Sequence, residues 1–195
     1  MKQFDMGNPE IEMIGSAALS VVNGIKTSFS QKIIQGILKD NGLENVEAEK
    51  WYQTQKWLNA FRTISEQIGA NTVFLTGMAI PENALLPPEI STIEAALSAI
   101  NIAYHMNHRL NGEPLFDPSS GRINDIIGNY KCNILGDRKV QMICDNPYPC
   151  DFDRGLIEGF ARKFKSPGSS GVSAVHSSRE CRKNGDDFCE YTVTW

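Results

Sequence analysis

The last fifty residues constrain this chain most, because soft metal-ligand atoms are gathered there. Asn146 to Trp195 holds Cys150, Cys181 and Cys189, three of the five cysteines, together with His176, one of three histidines. Cys181 and Cys189 flank the seven residues RKNGDDF, whose Asn184-Gly185-Asp186 has the composition of a tight turn between two strands. Strand alternation places Val172, Ala174 and His176 on one face of the approach strand, and Cys189, Tyr191, Val193 and Trp195 on one face of the closing strand. Cys150 precedes a short helix, DFDRGLIEGFARKF, whose return to the sheet brings its thiol toward the same corner. One imidazole and three thiolates make a closed, structural type of zinc shell with no open position for a catalytic water. On spacing alone two other fates stay open for Cys181 and Cys189: reduced packing in the core, or a disulfide across the hairpin. His176 taken alone also reads as a hydrogen-bonded strand histidine.

The pattern Cys150-x-Phe152-x2-Gly155-Leu156-Ile157-x-Gly159-Phe160, followed by His176-x4-Cys181-x3-Gly185-Asp186-x2-Cys189-x-Tyr191-x-Val193, resembles the ending of the 4-vinyl reductase domains. That family binds small molecules and shares its fold with subunits of the transport-protein-particle trafficking complexes and with haem-nitric-oxide-binding domains. The resemblance covers about the last 45 residues; upstream only the order of elements is similar. It implies that Cys150, Cys181 and Cys189 bind structural zinc beside a ligand pocket. The family's carboxylate ligand does not map, since the position three before Cys181 is Ser178, which leaves His176 as first choice for the fourth ligand and Glu180 as second.

At 195 residues and 41% hydrophobic, the chain suits one sizeable core and is short for two domains. A single domain over 1–195 is expected, with a loose leader at 1–10, a mainly helical part over 11–110, and a sheet with a crossover helix and the Cys/His corner over 122–195. The net charge of −4 gives no basic footprint for nucleic acid or anionic lipid. No run of about eighteen apolar residues offers a membrane span, and Met1-Lys2-Gln3-Phe4-Asp5 opens no apolar signal-peptide core. An odd cysteine count fits a reducing, cytoplasmic location.

Apolar spacing predicts helices from Ile11 to a stop near Asn23-Gly24, from the Thr27/Ser28 caps to Asp40-Asn41-Gly42, over Val46 to Ile68, over Thr72 to Ala79, and over Glu89 to Arg109. Trp57, Phe61, Ile64 and Ile68 share one face, which is either ordinary packing or the wall of a hydrophobic cavity. With Ile100, Tyr104 and Tyr130, the residues Trp57, Phe61 and Ile64 form the candidate ligand-binding set. His105 and His108 lie three apart at the end of the long helix. Because the related haem-binding domains use a helix histidine as the iron ligand, His105 is the alternative haem ligand. Against it stand the helix C-terminus, where the dipole favours a solvated histidine, and the absence of a Tyr-x-Ser-x-Arg clamp for the propionates. Farther on, Ile126 to Leu135, with Tyr130, Cys132 and Ile134 on one face, and Lys139 to Cys144 read as a hairpin turned at Gly136-Asp137; Lys163 to Gly171 reads as a mobile loop.

No Gly-x-Ser-x-Gly elbow, Walker loop or Gly-x-Gly-x2-Gly fingerprint appears, and the paired aspartates occupy a helix start and a turn, so no enzyme is expected. The reading is an α/β (α+β) fold, helices packed on a roughly four-stranded antiparallel sheet. Its expected role is a homodimeric sensory or binding domain for a small hydrophobic or aromatic ligand, with structural zinc, regulating a linked or partner signalling output. A haem-based gas sensor and a non-catalytic assembly subunit are the alternatives.

Overall fold

Ile11 and Met13 alternate with half-buried Glu12 and Ile14, and that period of two decides the start of the chain. In the computed structural model, described over residues 1–23, 28–84, 86–166 and 171–195, these residues form strand β1 (Ile11–Ile14) rather than the first turn of a helix. Helix α1 (Gly15–Asn23) follows only where the strand ends, then α2 (Ser28–Asp40), β2 (Trp51–Gln53), α3 (Thr54–Gln67), α4 (Ala70–Asn83) and α5 (Ile93–Met106). Trp51, expected on a helix, sits on β2, where the Arg109 guanidinium lies 4.5 Å from its ring. His108, expected to end a helix, instead opens β3 (His108–Leu110), and β1 pairs antiparallel with both β2 and β3. Pairing between distant segments overrides local helical spacing here. Strand β4 (Glu113–Pro114) completes this small sheet, and β5 (Phe116–Asp117) pairs with β6 (Arg122–Ile123) alone.

The leader expected to be loose is held down. Met6 is buried, the Phe4 N–H donates to the Pro147 carbonyl (2.8 Å), and the Gln55 side chain donates to the Phe4 carbonyl (3.0 Å). Gly24 and Thr27, expected as a helix stop and cap, lie outside the described residues, as do 167–170 of the expected loop.

The second sheet is antiparallel in the order β7 (Tyr130–Gly136), β8 (Lys139–Cys144), β10 (Cys189–Thr194), β9 (Ser173–His176). Its inner face carries Val140, Met142, Cys144, Cys189, Tyr191, Val193 and Ala174, all buried, with Cys189 opposite Cys144 and Tyr191 between Met142 and His176. Ile134, expected inward, is 63% exposed because β7 runs past the helices beyond Cys132. Ile126, expected to begin that strand, lies in a 3-10 turn instead.

Helix α6 (Cys150–Lys163) buries Leu156, Ile157 and Phe160 between the sheet and α4. Its Gly155-x3-Gly159 face meets Gly77 of α4 with the two backbones in direct approach. A β-carbon at Gly155 would stand 2.0 Å from the Phe74 carbonyl oxygen, and one at Gly77 2.3 Å from that of Phe152. Lys163 Nζ then donates to the Pro81 carbonyl (2.5 Å), satisfying a free end of α4. Among the described residues no helix is long and apolar enough to cross a membrane.

This crossing has no room for a methyl group. Gly155→Ala should therefore destabilise the fold by roughly 1–3 kcal/mol, the usual cost of overpacking, seen as a lower urea midpoint with an unchanged slope; an unaltered midpoint would show that the helices do not cross this closely.

Candidate functional site

Three thiols converge where α6 begins and β10 begins. The Cys150 and Cys181 sulfurs are 3.7 Å apart, Cys181 and Cys189 3.8 Å, and Cys150 and Cys189 3.0 Å, and none is in a disulfide. Tetrahedral zinc–sulfur bonds of about 2.3 Å put neighbouring sulfurs about 3.8 Å apart, so two of the three edges already have the dimension of a zinc shell. A disulfide needs about 2.05 Å, which excludes that alternative in this arrangement. N–H groups point at the sulfurs: the Arg182 backbone donates to Cys189 (3.4 Å) and the Gln3 side chain to Cys150 (3.1 Å). Sharing one hydrogen bond, the Cys150–Cys189 pair splits, with Cys189 pulled down by Cys150 and further by Arg182, and Cys150 pushed up by Cys189 and by burial.

Among the described residues the ligand atoms within 4.8 Å of one another are the three thiols alone; His176, the expected fourth ligand, is not in that group and sits with its ring edge-on to Tyr191. Its Nδ1 lies 3.1 Å from the Ser178 carbonyl oxygen, which can only accept. The hydrogen is therefore on Nδ1, and Nε2, buried and without a hydrogen-bond partner, carries the lone pair a metal takes. Glu180 is exposed. The expected simple turn between Cys181 and Cys189 is replaced by a 3-10 helix, Arg182–Asn184, closed by Gly185 in the left-handed region (φ 96°).

That 3-10 helix sends Arg182 inward. Its side chain is fully buried and pairs with the equally buried Asp153 of α6. The guanidinium also donates to the Asn146 carbonyl, to Asn146 Oδ1 (2.9 Å) and to the Tyr148 carbonyl (3.1 Å). Asp153 accepts from the Tyr130 hydroxyl (2.5 Å); burial pushes its carboxyl up to about 6 although Arg182 pulls the other way. Removing either ion would strand the other in a dry interior, at a cost of about 3–5 kcal/mol.

Tyr130 and Tyr148 connect this network to a cavity of about 370 Å³ between α1, the end of α4, α5 and α6. Its walls are mostly apolar, with Ile80, Ile100, Leu156 and Phe160 among them, and Ser16, Ser20 and Asn107 add polar groups. No lysine, arginine, aspartate or glutamate lines it among the described residues. His108 is on the wall, donating from Nδ1 to the Tyr104 carbonyl (2.7 Å) and accepting at Nε2 from the Tyr148 hydroxyl (3.0 Å). Burial pushes it down to about 4, so the ring is neutral at physiological pH.

Of the residues expected around a ligand, Ile100, Tyr104 and Tyr130 line this cavity, and Trp57, Phe61 and Ile64 do not. The α3 stripe packs against Ile34 and Leu38 of α2, leaving a void of only about 10 Å³. Phe61 stands one layer behind the cavity, its ring 5.2 Å from that of Phe152. His105 is also displaced: fully buried, it gives Nδ1 to the Asn101 carbonyl (2.8 Å) and is not on the cavity wall. Sequence reasoning weighs His108 beside His105 and prefers His105; it misses Tyr148, Asp153 and Arg182. Arg182 sits in a charge-rich turn that reads as solvated.

No family model matches the chain, and no curated protein matches it. Solved structures do. The chain is similar to an H-NOX protein from S. oneidensis in the Fe(II)NO ligation state (TM-score 0.65, 14% identity, covering 93% of this chain and 98% of that one). It is also similar to an unliganded Fe(II) H-NOX protein from K. algicida (0.62, 11%, 93% and 96%) and to a structure described under the modulation of haem redox potential by porphyrin distortion (0.59, 14%, 94% and 100%). At such identities the likeness establishes the fold: this chain has the mixed helix-and-sheet architecture of H-NOX domains.

Proposed function

We propose that this chain is a non-catalytic sensory domain that encloses a small, uncharged, largely apolar molecule in the cavity of α1, α4, α5 and α6. The observation that carries this reading is the cavity itself. Its volume lies in the usual range for small-molecule sites, about 300–1,000 Å³, and its polar groups, Ser16, Ser20, Asn107, His108 and three tyrosines, are neutral. A charged guest would lose its hydration with no ion to replace it. An assembly subunit of the trafficking type would have a filled core at this place.

The narrower likeness to 4-vinyl reductase domains rests on the C-terminal motif. It supports zinc at Cys150, Cys181 and Cys189, whose sulfur spacing fits that ion; in place of the family's carboxylate, His176 is the fourth ligand we propose, its ring moving toward the three thiols on binding. With four protein ligands zinc would serve as a clamp on the C-terminal strands. A reducing cytoplasm would keep the thiols available. A homodimer and a linked or partner signalling output belong to the same reading, as the route by which occupancy is reported.

A second reading, a haem-based gas sensor, is the one the solved relatives favour, since their descriptions name haem and Fe(II) states. The cavity lining does not fit haem as it stands. Both ring nitrogens of His108 are engaged, and no cation lines the wall to meet two propionates. His105 keeps a buried Nε2 without a hydrogen-bond partner, as an iron ligand would need, but it is not on the cavity wall.

Absorption spectra of protein expressed with added haem separate the two. The apolar-ligand reading expects no Soret band and saturable binding of the neutral fluorophore N-phenylnaphthylamine, lost when Ala103→Phe fills the cavity. A stoichiometric Soret band abolished by His105→Ala or by His108→Ala would establish the haem reading instead. For the corner, metal analysis of protein purified without chelator should find one zinc per chain, and Cys181→Ser should abolish stoichiometric binding and lower the melting temperature; wild-type protein free of zinc would remove the metal assignment.

A further inference from the structure

We infer that Arg182 is a positioning residue that ties occupancy of the cavity to the state of the cysteine corner. The inference deepens the proposed function and rests on it. At one end, Arg182 follows Cys181 in the chain, and its N–H donates to Cys189 Sγ (3.4 Å). At the other, its guanidinium holds Asp153 and the Tyr148 carbonyl (3.1 Å). Asp153 in turn takes the Tyr130 hydroxyl (2.5 Å), and the Tyr148 hydroxyl meets His108 (3.0 Å). Tyr130, Tyr148 and His108 are cavity wall.

Every side chain in this path is buried, so a partner that moves away leaves a polar group in need of another. A guest that shifts either tyrosine therefore shifts a partner of Arg182. Conversely, a corner that opens moves the 3-10 helix from which Arg182 is hung. Asn146, bonded to Arg182 at both its carbonyl and its side-chain oxygen, keeps the guanidinium from swinging free of the tyrosines. The geometry is one rigid strut with a metal clamp at one end and a binding wall at the other. The consequence is mutual: zinc tightens the cavity for its guest, and the guest tightens the corner for zinc.

The test uses the full chain, zinc-loaded or stripped by chelator, titrated with N-phenylnaphthylamine, and the reverse titration of zinc with and without the fluorophore. Zinc should tighten fluorophore binding about five- to tenfold, and the fluorophore should tighten zinc binding by the same factor, since linkage is reciprocal. Tyr130→Phe keeps the ring and removes the hydroxyl that reaches Asp153; whatever its own affinities, its coupling factor should fall below about twofold. Arg182→Lys, which keeps a charge for Asp153 and loses the fork, should do the same if Tyr130→Phe does not fold. Wild-type protein that binds both zinc and fluorophore with independent affinities would overturn the inference alone, as would full coupling in the variants. Wild-type protein that binds only one of them would overturn the proposed cavity or corner, and the strut with it.

Discussion

A buried ion pair governs the C-terminal half of this molecule. Arg182 and Asp153 are both removed from water, an arrangement whose desolvation penalty is recovered only when nearly every donor and acceptor finds a partner. Tyr130, Asn146 and the Tyr148 carbonyl supply those partners. Satisfying the pair therefore fixes, together, the start of α6, the 3-10 helix between Cys181 and Cys189, and two tyrosines of the cavity wall. The cysteine corner forms because the same constraint that seats Arg182 carries Cys181 and Cys189 to the first turn of α6, where Cys150 waits.

Part of this was legible in the sequence. Period-two alternation marked the inner faces of β8 and β10, and Val140, Met142, Cys189, Tyr191 and Val193 are buried as alternation requires. The Cys150, Cys181 and Cys189 cluster followed from the same spacing combined with a family likeness. What was not legible depended on partners far away in the chain. Ile11 to Ile14 has too few residues to declare a strand without β2 and β3 beside it, and Trp57 and Phe61 had a strong helical stripe whose neighbour, α2 or a cavity, spacing does not name. Arg182 was the hardest case: a long cation in the run RKNGDD reads as solvated, and only tertiary structure shows it turning inward to Asp153, 29 residues away.

The fold is that of H-NOX domains over nearly the whole chain, at 11–14% identity in the structures compared. Between sequences so distant, the architecture persists while the cavity lining is free to change. Here the lining is neutral, the wall histidine is held by a tyrosine, and the histidine near the end of α5, His105, is buried away from the cavity wall. The close α4–α6 crossing at Gly77, Gly155 and Gly159 fixes the depth of the hollow, because it sets how near Ile80 of α4 can come to Leu156 and Phe160.

A largely apolar hollow lies between α5 and α6, walled by Tyr130 and Tyr148. Diffraction from crystals held under xenon pressure tests it most directly, since an atom with no polar partner enters such a space and avoids a filled core. Xenon density bounded by Ile100, Tyr104, Leu156 and Phe160 is the expected result. Side chains closed over that volume, with no xenon between them, would contradict it.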